Sequence, residues 1–333
     1  MKARLMQVAI HAAMKSDRIV NFVGRKRSTG PDAALDRQVA AALEYQRLAR
    51  LPALESMEPA RARAWTEKQF GVAELAPEPM AEVIDTQVGF DRIPVRIFVP
   101  PDAGKHWIVW NHGGGGVIGS IEGSEMHTRY LAAKTRSTVA SVGYRLAPED
   151  RHPAAIDDVC AAFEALVAKV PAGGRVAVGG DSFGGFLAAH VDHQMRLLKK
   201  RQPDLQVLIY PMVDLRLITP SLDRYAEGYL LTKSIMQYFR SHYLNNEEEQ
   251  HSGSPWFWDN LYGSAPAIIA TAGFDPLVDE GDAWAQRLRD AGVTVHHHRY
   301  DSLVHGFLGL AGVVKAARAA FDELCAEIVE MLG

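Results

Sequence analysis

Apolar residues in this chain follow two different spacings, and the order of these spacings predicts the fold class. From about residue 83 onwards, short runs of the kind typical of strands alternate with longer segments of helical spacing. The predicted strands cover residues 83–88, 93–99, 107–110, 138–142, 175–178, 207–210, 267–271 and 294–300, and the predicted helices residues 154–170, 183–198, 281–291 and 316–332. This alternation predicts an α/β fold, with a mainly parallel sheet covered by helices on both faces.

Two parts of the chain lie outside the alternation. The first eighty residues lack strand patterns and carry helical spacing at 33–51 and 59–70, before Pro77 and Pro79 interrupt the chain. Residues 214–263 hold one helical stretch, 233–243, and many aromatic residues. We expect these two helical parts to form a lid or cap over the sheet.

Composition narrows the function classes. Apolar residues make up 47% of the 333 residues and charged residues 23%, which is typical of a globular protein and not of a disordered, collagen-like or coiled-coil chain. The 36 Lys and Arg against 40 Asp and Glu give a net charge of −4, so a nucleic acid is not the expected partner. Only two cysteines are present, Cys160 and Cys325, which predicts neither a disulfide framework nor a zinc cluster and fits a reducing compartment.

Targeting signals are weak. Residues 1–14 mix basic and apolar residues, but Gln7 and His11 interrupt the apolar part and no small-x-small cleavage site follows, so we interpret them as an amphipathic helix and not as a signal peptide. No run approaches the roughly 18 apolar residues that a membrane span needs. We expect a soluble, cytoplasmic protein with no stable membrane insertion.

The strongest chemical signal is the sequence Gly-Asp-Ser-Phe-Gly at 180–184. It matches the G-x-S-x-G pattern between a predicted strand and a predicted helix, the context of a nucleophile elbow. The glycines allow a sharp turn that presents Ser182 at the strand's end with its hydroxyl exposed. The alternative is a tight glycine-rich loop in which Ser182 only caps the helix.

A second glycine-rich loop, His-Gly-Gly-Gly at 112–115, follows the predicted strand 107–110, and Gly116 extends it. Acyl transfer requires backbone N–H donors aimed at a developing oxyanion, with no side chains in the way. A glycine run at a strand end supplies such donors. The alternative is a phosphate-binding loop, but no Lys-Ser/Thr follows and the spacing is not that of a dinucleotide site.

A serine nucleophile needs a base, and the base needs a carboxylate that orients it. With this type of elbow the chain order is Ser, then Asp or Glu, then His. Asp275 and His305 follow predicted strands in that order, so both should lie at the sheet edge where Ser182 lies. Taken singly, Asp275 is a turn residue and His305 a structural histidine. Their joint placement favours a triad.

Five motifs in order complete the pattern: HGGG, YRLAPE at 144–149, GDSFGG, DPLVDEG at 275–281 and HGF at 305–307. Together they resemble the hormone-sensitive-lipase-like carboxylesterase family of α/β-hydrolases over roughly residues 80–333. The resemblance implies an eight-stranded α/β-hydrolase core at 81–333. It also implies a helical cap, built from an N-terminal segment at 1–80 and a second segment inserted at about 213–262.

Carried over to the matching positions, the resemblance implies a role for each candidate residue. Ser182 is the nucleophile, Asp275 the orienting acid and His305 the base. The oxyanion donors are backbone N–H groups, those of Gly114, Gly115 and Phe183. No cofactor and no metal is needed, and the resemblance is compatible with a homodimer whose interface holds the last strand and helix.

Two positions depart from the family pattern. The residue after the nucleophile is usually Ala and here is Phe183, whereas the residue after HGGG is commonly aromatic and here is Gly116. We expect the two positions to be neighbours, with the Phe183 ring in the space that a ring after HGGG would fill.

The expected function is hydrolysis of carboxylic esters through an acyl-enzyme, with short-to-medium acyl groups preferred because a helical cap should enclose a bounded pocket. Two alternatives remain open at this point. The same fold could act on an amide, lactone, thioester or N-acetyl group, or the chain could be a non-catalytic binder of small ligands.

Two further features have simple interpretations. The run His296-His297-His298 suggests a metal site at first sight, but consecutive strand residues point to alternating faces and cannot all ligate one ion. Asp279 and Glu280, which follow the candidate acid, are interpreted as charges at a helix N-terminus.

Overall fold

The computed structural model describes residues 13–14, 16–27, 34–70, 73 and 75–333, and eight strands within them form one sheet in the order β1-β2-β4-β3-β5-β6-β7-β8. Its strands are β1 (Glu82–Val88), β2 (Ile93–Val99), β3 (Trp107–Asn111), β4 (Thr138–Val142), β5 (Val176–Asp181), β6 (Leu205–Ile209), β7 (Ala267–Phe274) and β8 (Val295–Val304). Strand β2 pairs antiparallel with β1 and β4, and the remaining pairs are parallel. The expected eight-stranded, mostly parallel sheet is confirmed.

Helices precede, separate and follow the strands. Before the sheet come α1 (Asp17–Gly24), α2 (Arg37–Leu48) and α3 (Pro59–Phe70). Between the strands and after them come α4 (Glu125–Thr135), α5 (Ala154–Val167), α6 (Phe183–Leu197), α7 (Pro220–Arg224), α8 (Lys233–Tyr243), α9 (Glu249–Ser252), α10 (Val278–Asp290) and α11 (Lys315–Leu332).

The sheet separates two hydrophobic cores because successive strand residues point to opposite faces. In β3, Val109 packs into the core formed with α5, α6 and α10, whereas Ile108 and Trp110 pack into the core formed with α4 and α11. Strand β7 repeats the pattern with Ile269 on the first face and Ile268 on the second. Burial on both faces explains why these strands are continuous apolar runs in the sequence.

Three strands extend beyond their predicted ends, by three or four residues each. In β5 the prediction stopped early because glycines weaken a strand pattern, and this strand continues through Gly179 and Gly180. Close packing against β3 requires a residue without a side chain at Gly180. A Cβ on Gly180 would stand 2.3 Å from the carbonyl oxygen of Asn111 on β3. Because β7 and β8 are also longer than predicted, Asp275 directly follows β7 and His305 directly follows β8.

Helix α4 was not predicted from the sequence. Its buried side includes Thr128 and Thr135 as well as apolar residues, so the helical spacing of apolar residues is poor. Each threonine hydroxyl donates to a backbone carbonyl one turn earlier, to Ser124 at 3.1 Å and to Leu131 at 2.7 Å. These bonds satisfy polar groups that the sequence pattern alone would place at the surface.

The N-terminal helices and the segment after β6 contact each other near the carboxyl edge of the sheet. The Tyr238 hydroxyl on α8 donates to the Met57 carbonyl oxygen at 3.0 Å, just before α3.

The division into a cap at 1–80 and 213–262 and a core at 81–333 stays a prediction. The predicted amphipathic helix at 1–14 falls almost wholly outside the described residues. Within the described ranges, no helix combines the length and apolarity needed to cross a membrane.

The packing at the start of α6 predicts the effect of one methyl group. A Cβ on Gly184 would stand 1.9 Å from the Asn111 carbonyl oxygen, a backbone atom that cannot rotate away. We expect Gly184→Ala to lower the free energy of unfolding by about 3 kcal/mol or more in urea denaturation. Gly309→Ala is the matched control, because a Cβ there meets no described atom within 4 Å. Equal effects of the two substitutions would contradict this packing.

Candidate active site

Ser182 occupies a sharp turn between β5 and α6. Its backbone angles are φ 56° and ψ −116°, a strained combination for a residue with a side chain. The turn is held by hydrogen bonds from Ser182 N to the Ile209 oxygen, 2.8 Å, and from Gly185 N to the Ser182 oxygen, 3.0 Å. The Ser182 side chain makes no capping hydrogen bond with the described part of α6, so helix capping does not account for this serine.

The structure brings Ser182, His305 and Asp275 into one hydrogen-bonded chain. Nε2 of His305 lies 2.9 Å from Oγ of Ser182, and Nδ1 of His305 lies 2.8 Å from Oδ2 of Asp275. The second oxygen of Asp275 accepts from the backbone N–H of Leu277 at 2.8 Å. A carboxylate at Nδ1 favours the tautomer in which Nε2 is free to accept the serine proton.

Tyr210 supports the imidazole from the side and was not identified from the sequence as a site residue. It follows β6, its ring centroid lies 4.7 Å from that of His305, and it is buried. Phe307 packs edge-on against the same tyrosine at 5.0 Å. The only sequence signal was an aromatic residue at the end of a predicted strand next to the elbow.

The loop after β3 is a tight turn made largely of glycines. Gly114, Gly115 and Gly116 all have positive φ, at 123°, 61° and 73°, which favours glycine at each position. The Gly114 carbonyl accepts from the N–H groups of Val117 and Ile118, both at 3.0 Å, and so faces away from the loop's N–H groups. Among the described residues, none accepts from the N–H groups of Gly114, Gly115 or Phe183.

Side chains from several elements brace this loop. Asp181 on β5 accepts from Gly113 N at 3.1 Å, and the Tyr144 hydroxyl donates to the His112 oxygen at 2.8 Å. Arg63 on α3 donates to the Val117 oxygen at 2.8 Å. Burial raises the pKa of Asp181 to about 6, although the hydrogen bond from Gly113 N opposes the shift. Asp181 lay inside a motif, but no sequence signal pointed to Arg63.

Phe183 and Gly116 are neighbours. A Cβ on Gly116 would stand 2.8 Å from the Phe183 ring and 2.9 Å from that of Tyr243. The Phe183 ring is fully buried, 5.0 Å from the Phe186 ring and 4.9 Å from the Tyr243 ring by centroid. This packing agrees with the expected exchange of volume between the two positions.

A narrow, mainly apolar cleft opens at Ser182. Its walls come largely from the segment after β6 and from α8, namely Met212, Leu215, Leu217, Leu231, Met236 and Phe239. Arg240, also on α8, is a charged residue among those that line the cleft.

The three consecutive histidines of β8 point to alternating faces, as expected. His296 and His298 both bond Glu327 on α11, whereas His297 lies on the other face, 3.2 Å from Asp282. No group of three or more His, Cys, Asp or Glu side chains suited to a metal ion occurs within the described ranges.

Glu280 has a different role from the one that its position at a helix N-terminus suggested. It is only 2% exposed, and its Oε1 accepts from the N–H groups of Val213 at 2.7 Å and Asp214 at 3.1 Å. Burial raises the pKa of Glu280 to about 8, although these two hydrogen bonds oppose the shift. The side chain therefore ties the helix after Asp275 to the start of the segment that walls the cleft.

Several proteins that resemble this chain in sequence and fold are named as esterases. A family model described as the alpha/beta hydrolase fold matches residues 108–309. The ethyl acetate hydrolase of Pseudomonas putida is 34% identical over 92% of this chain and 98% of its own length. The carboxylic ester hydrolase LipN of Mycobacterium tuberculosis is 36% identical over 76% of this chain and 72% of its own. A solved hyperthermophilic esterase from Pyrobaculum calidifontis has a TM-score of 0.84 and 34% identity, covering 89% of this chain and 98% of that one.

The contact between Gly116 and Phe183 predicts thermodynamic coupling. Gly116→Ala should destabilise strongly in the wild-type background, where the new methyl meets the Phe183 ring, and less in a Phe183→Ala background. We expect a favourable coupling of about 0.5–3 kcal/mol in a double-mutant cycle of unfolding free energies. The backbone strain at positive φ is common to both backgrounds and cancels in the cycle. Strictly additive losses would contradict the contact.

The raised pKa of Glu280 predicts a pH-dependent stability. The ordinary pKa is 4.5, so between about pH 4.5 and 8 the unfolded chain loses this proton and the folded chain keeps it. The group's contribution is therefore most favourable below pH 4.5 and declines as pH rises towards 8, by up to about 5 kcal/mol.

Glu280→Gln keeps an oxygen acceptor for the two N–H groups and removes the titration. We expect the variant to match the wild type in unfolding free energy near pH 5 and to exceed it increasingly up to pH 9. Glu247→Gln, at an exposed position, is the control. A difference between variant and wild type that does not change with pH would disprove the shift.

Proposed function

The chain belongs to the hormone-sensitive-lipase-like carboxylesterase family of α/β-hydrolases and is a carboxylic ester hydrolase, and on that basis we propose that it cleaves short-to-medium acyl esters through an acyl-enzyme on Ser182. The observation that carries this proposal is the hydrogen-bonded chain from Ser182 through His305 to Asp275 at an otherwise apolar cleft.

In the acylation step, Oγ of Ser182 attacks the ester carbonyl carbon while Nε2 of His305 takes the hydroxyl proton. The Asp275 carboxylate holds the ring in place and stabilises the imidazolium that forms. The Oγ–His305 distance of 2.9 Å is within the reach that proton transfer requires. His305 then protonates the leaving alcohol, and the acyl group stays on Ser182.

The developing negative charge is assigned to the N–H groups of Gly114, Gly115 and Phe183. None of these N–H groups has another acceptor among the described residues, which supports this role. Donors that are already oriented and unoccupied need no rearrangement during the reaction. The N–H of Phe183 also begins α6, whose N-terminal dipole favours an anion.

In the deacylation step, a water molecule attacks the acyl carbonyl and His305 accepts its proton. The same N–H groups receive the second oxyanion. Its collapse breaks the bond to Oγ, and His305 returns the proton to Ser182. The step releases the carboxylic acid and restores the starting enzyme, with no redox change and no cofactor in the proposal.

The narrow, mainly apolar cleft, with walls from α8 and the segment after β6, supports short-to-medium acyl groups. The relative named ethyl acetate hydrolase supports the lower end of this range. A cytoplasmic location, and a homodimer with the last strand and helix at its interface, remain parts of the proposal for solution experiments to test.

The roles of the two acidic candidates can be separated with a matched pair. Asp275→Asn should lower kcat on p-nitrophenyl butyrate by about 10⁴-fold, because the amide favours the wrong tautomer of His305. Asp279→Asn should change kcat less than tenfold, since Asp279 accepts from Ser221 N at 2.8 Å and does not contact His305.

Ser182→Ala should lower kcat by about 10⁵-fold or more with an unchanged unfolding transition, and Ser252→Ala, at an exposed position, should have no effect. Activity of Ser182→Ala near the wild-type rate would refute the proposal.

Acyl-chain length tests the enclosed cleft. Across p-nitrophenyl esters from acetyl to palmitoyl, we expect kcat/KM to peak between acetyl and octanoyl and to fall beyond it. Faster turnover of emulsified long-chain triglycerides than of dissolved butyrate esters would show that the cleft is not bounded as proposed.

A further inference from the structure

Arg240 is an unusual component of the cleft that contains Ser182. The walls around it are largely aliphatic and aromatic, whereas Arg240 is half-buried and carries a permanent charge. Its Nη1 donates to the Arg216 carbonyl oxygen at 2.8 Å and more weakly to that of Leu215 at 3.4 Å. These two contacts fix the guanidinium beside the segment after β6.

The charge of Arg240 has no carboxylate partner in the described part of the chain. Two other arginines, one after β6 and one on α3, are paired with carboxylates: Arg216 bonds Asp214 at 2.6 Å, and Arg63 bonds Glu149 at 2.6 Å. Both carbonyl oxygens accept from Nη1, which is one of the three guanidinium nitrogens. The N–H groups on Nε and Nη2 therefore have no acceptor among the described residues. Neither nitrogen is fully buried, so their N–H groups remain accessible to a ligand.

A half-buried cation at the wall of an apolar cleft has lost part of its hydration, and an anionic group bound there would offset that cost. Guanidinium matches a carboxylate best, because its parallel N–H groups can bond both oxygens. An acyl chain that ends in a carboxylate would place methylene groups along the apolar wall and its charge at Arg240.

We propose that Arg240 makes this enzyme selective for esters with an anionic far end, namely half-esters of short dicarboxylic acids. The inference rests on the proposed function, since the same cleft holds Ser182. Hydrolysis would release an alcohol and a dicarboxylate. Arg240 would act on substrate binding and not on the reacting bond, so its contribution should fall mainly on KM.

The experiment compares substrates that differ only at the far end. Monoethyl glutarate is paired with ethyl 5-methylhexanoate, in which an isopropyl group replaces the carboxylate, and monoethyl adipate with ethyl 6-methylheptanoate. Hydrolysis is followed at pH 8 by titration of the released acid. For wild type we expect a higher kcat/KM for the half-ester in at least one pair, with a preference that weakens as salt is added.

Three variants separate recognition from cap stability. Arg240→Met should reduce the ratio of half-ester to neutral-ester kcat/KM at least about tenfold, mainly through KM, as expected for a lost charged hydrogen bond. Arg240→Lys should recover part of the ratio. Arg151→Met is the matched control. Like Arg240, Arg151 donates through Nη1 to two backbone carbonyl oxygens, those of Ser241 and Leu244, but it does not line the cleft.

The outcomes are distinct. Equal losses on both members of each pair in Arg240→Met, or a wild type without preference for either half-ester, would overturn the selectivity and leave a structural role for Arg240. A wild type inactive on both members of each pair would instead overturn the proposed function on which the inference rests.

Discussion

The two hydrogen bonds of His305 are the interactions on which the rest of the arrangement depends. They join residues that lie 123 and 30 positions away in the chain, and they can form only if the ends of β5, β7 and β8 meet at one edge of the sheet. Parallel pairing through β6 supplies that alignment, with Asp181 opposite Ile209 and Ala270 opposite both Ile209 and His298. The glycines at the elbow then allow the approach of β3 and α6 that a single methyl group would prevent. Close packing at the elbow therefore brings the reactive groups to the distances at which these two hydrogen bonds form.

Buried and partly buried polar side chains connect this edge to the loops around it. Asp181 bonds the loop after β3, Glu280 bonds the segment after β6, and Arg63 joins α3 to the far side of the glycine loop. Each of these side chains bonds backbone N–H or carbonyl groups of a loop. Loss of the side chain would leave those backbone groups unsatisfied, so these hydrogen bonds hold the loops in one geometry. The raised pKa values of Asp181 and Glu280 show that burial outweighs the stabilising effect of these bonds on the charged forms.

Much of the fold was predictable because the strands are buried on both faces and so carry dense apolar runs. The eight strands and helices such as Lys233–Tyr243 were predicted in the right places, and Ser182, Asp275 and His305 were placed at one edge by strand ends alone. Helix α4 was missed because Thr128 and Thr135 satisfy their hydroxyls internally and interrupt the apolar spacing. Tyr210, Arg63 and Arg240 were missed as site residues because their roles depend on contacts across long stretches of chain, which spacing cannot reveal. Glu280 was interpreted as a charge at a helix N-terminus from its position in the sequence. Its burial and its hydrogen bonds to the segment after β6 depend on long-range contacts that the sequence pattern does not reveal.

The central claim is that Ser182 is the nucleophile of the reaction, and covalent labelling tests it most directly. A p-nitrophenyl alkylphosphonate should react with the enzyme to release one equivalent of p-nitrophenol per chain as activity is lost. Intact-mass measurement should then show one phosphonyl group, and peptide sequencing by mass spectrometry should place it on Oγ of Ser182. Attachment at another residue, or complete inactivation with Ser182 unmodified, would contradict the account.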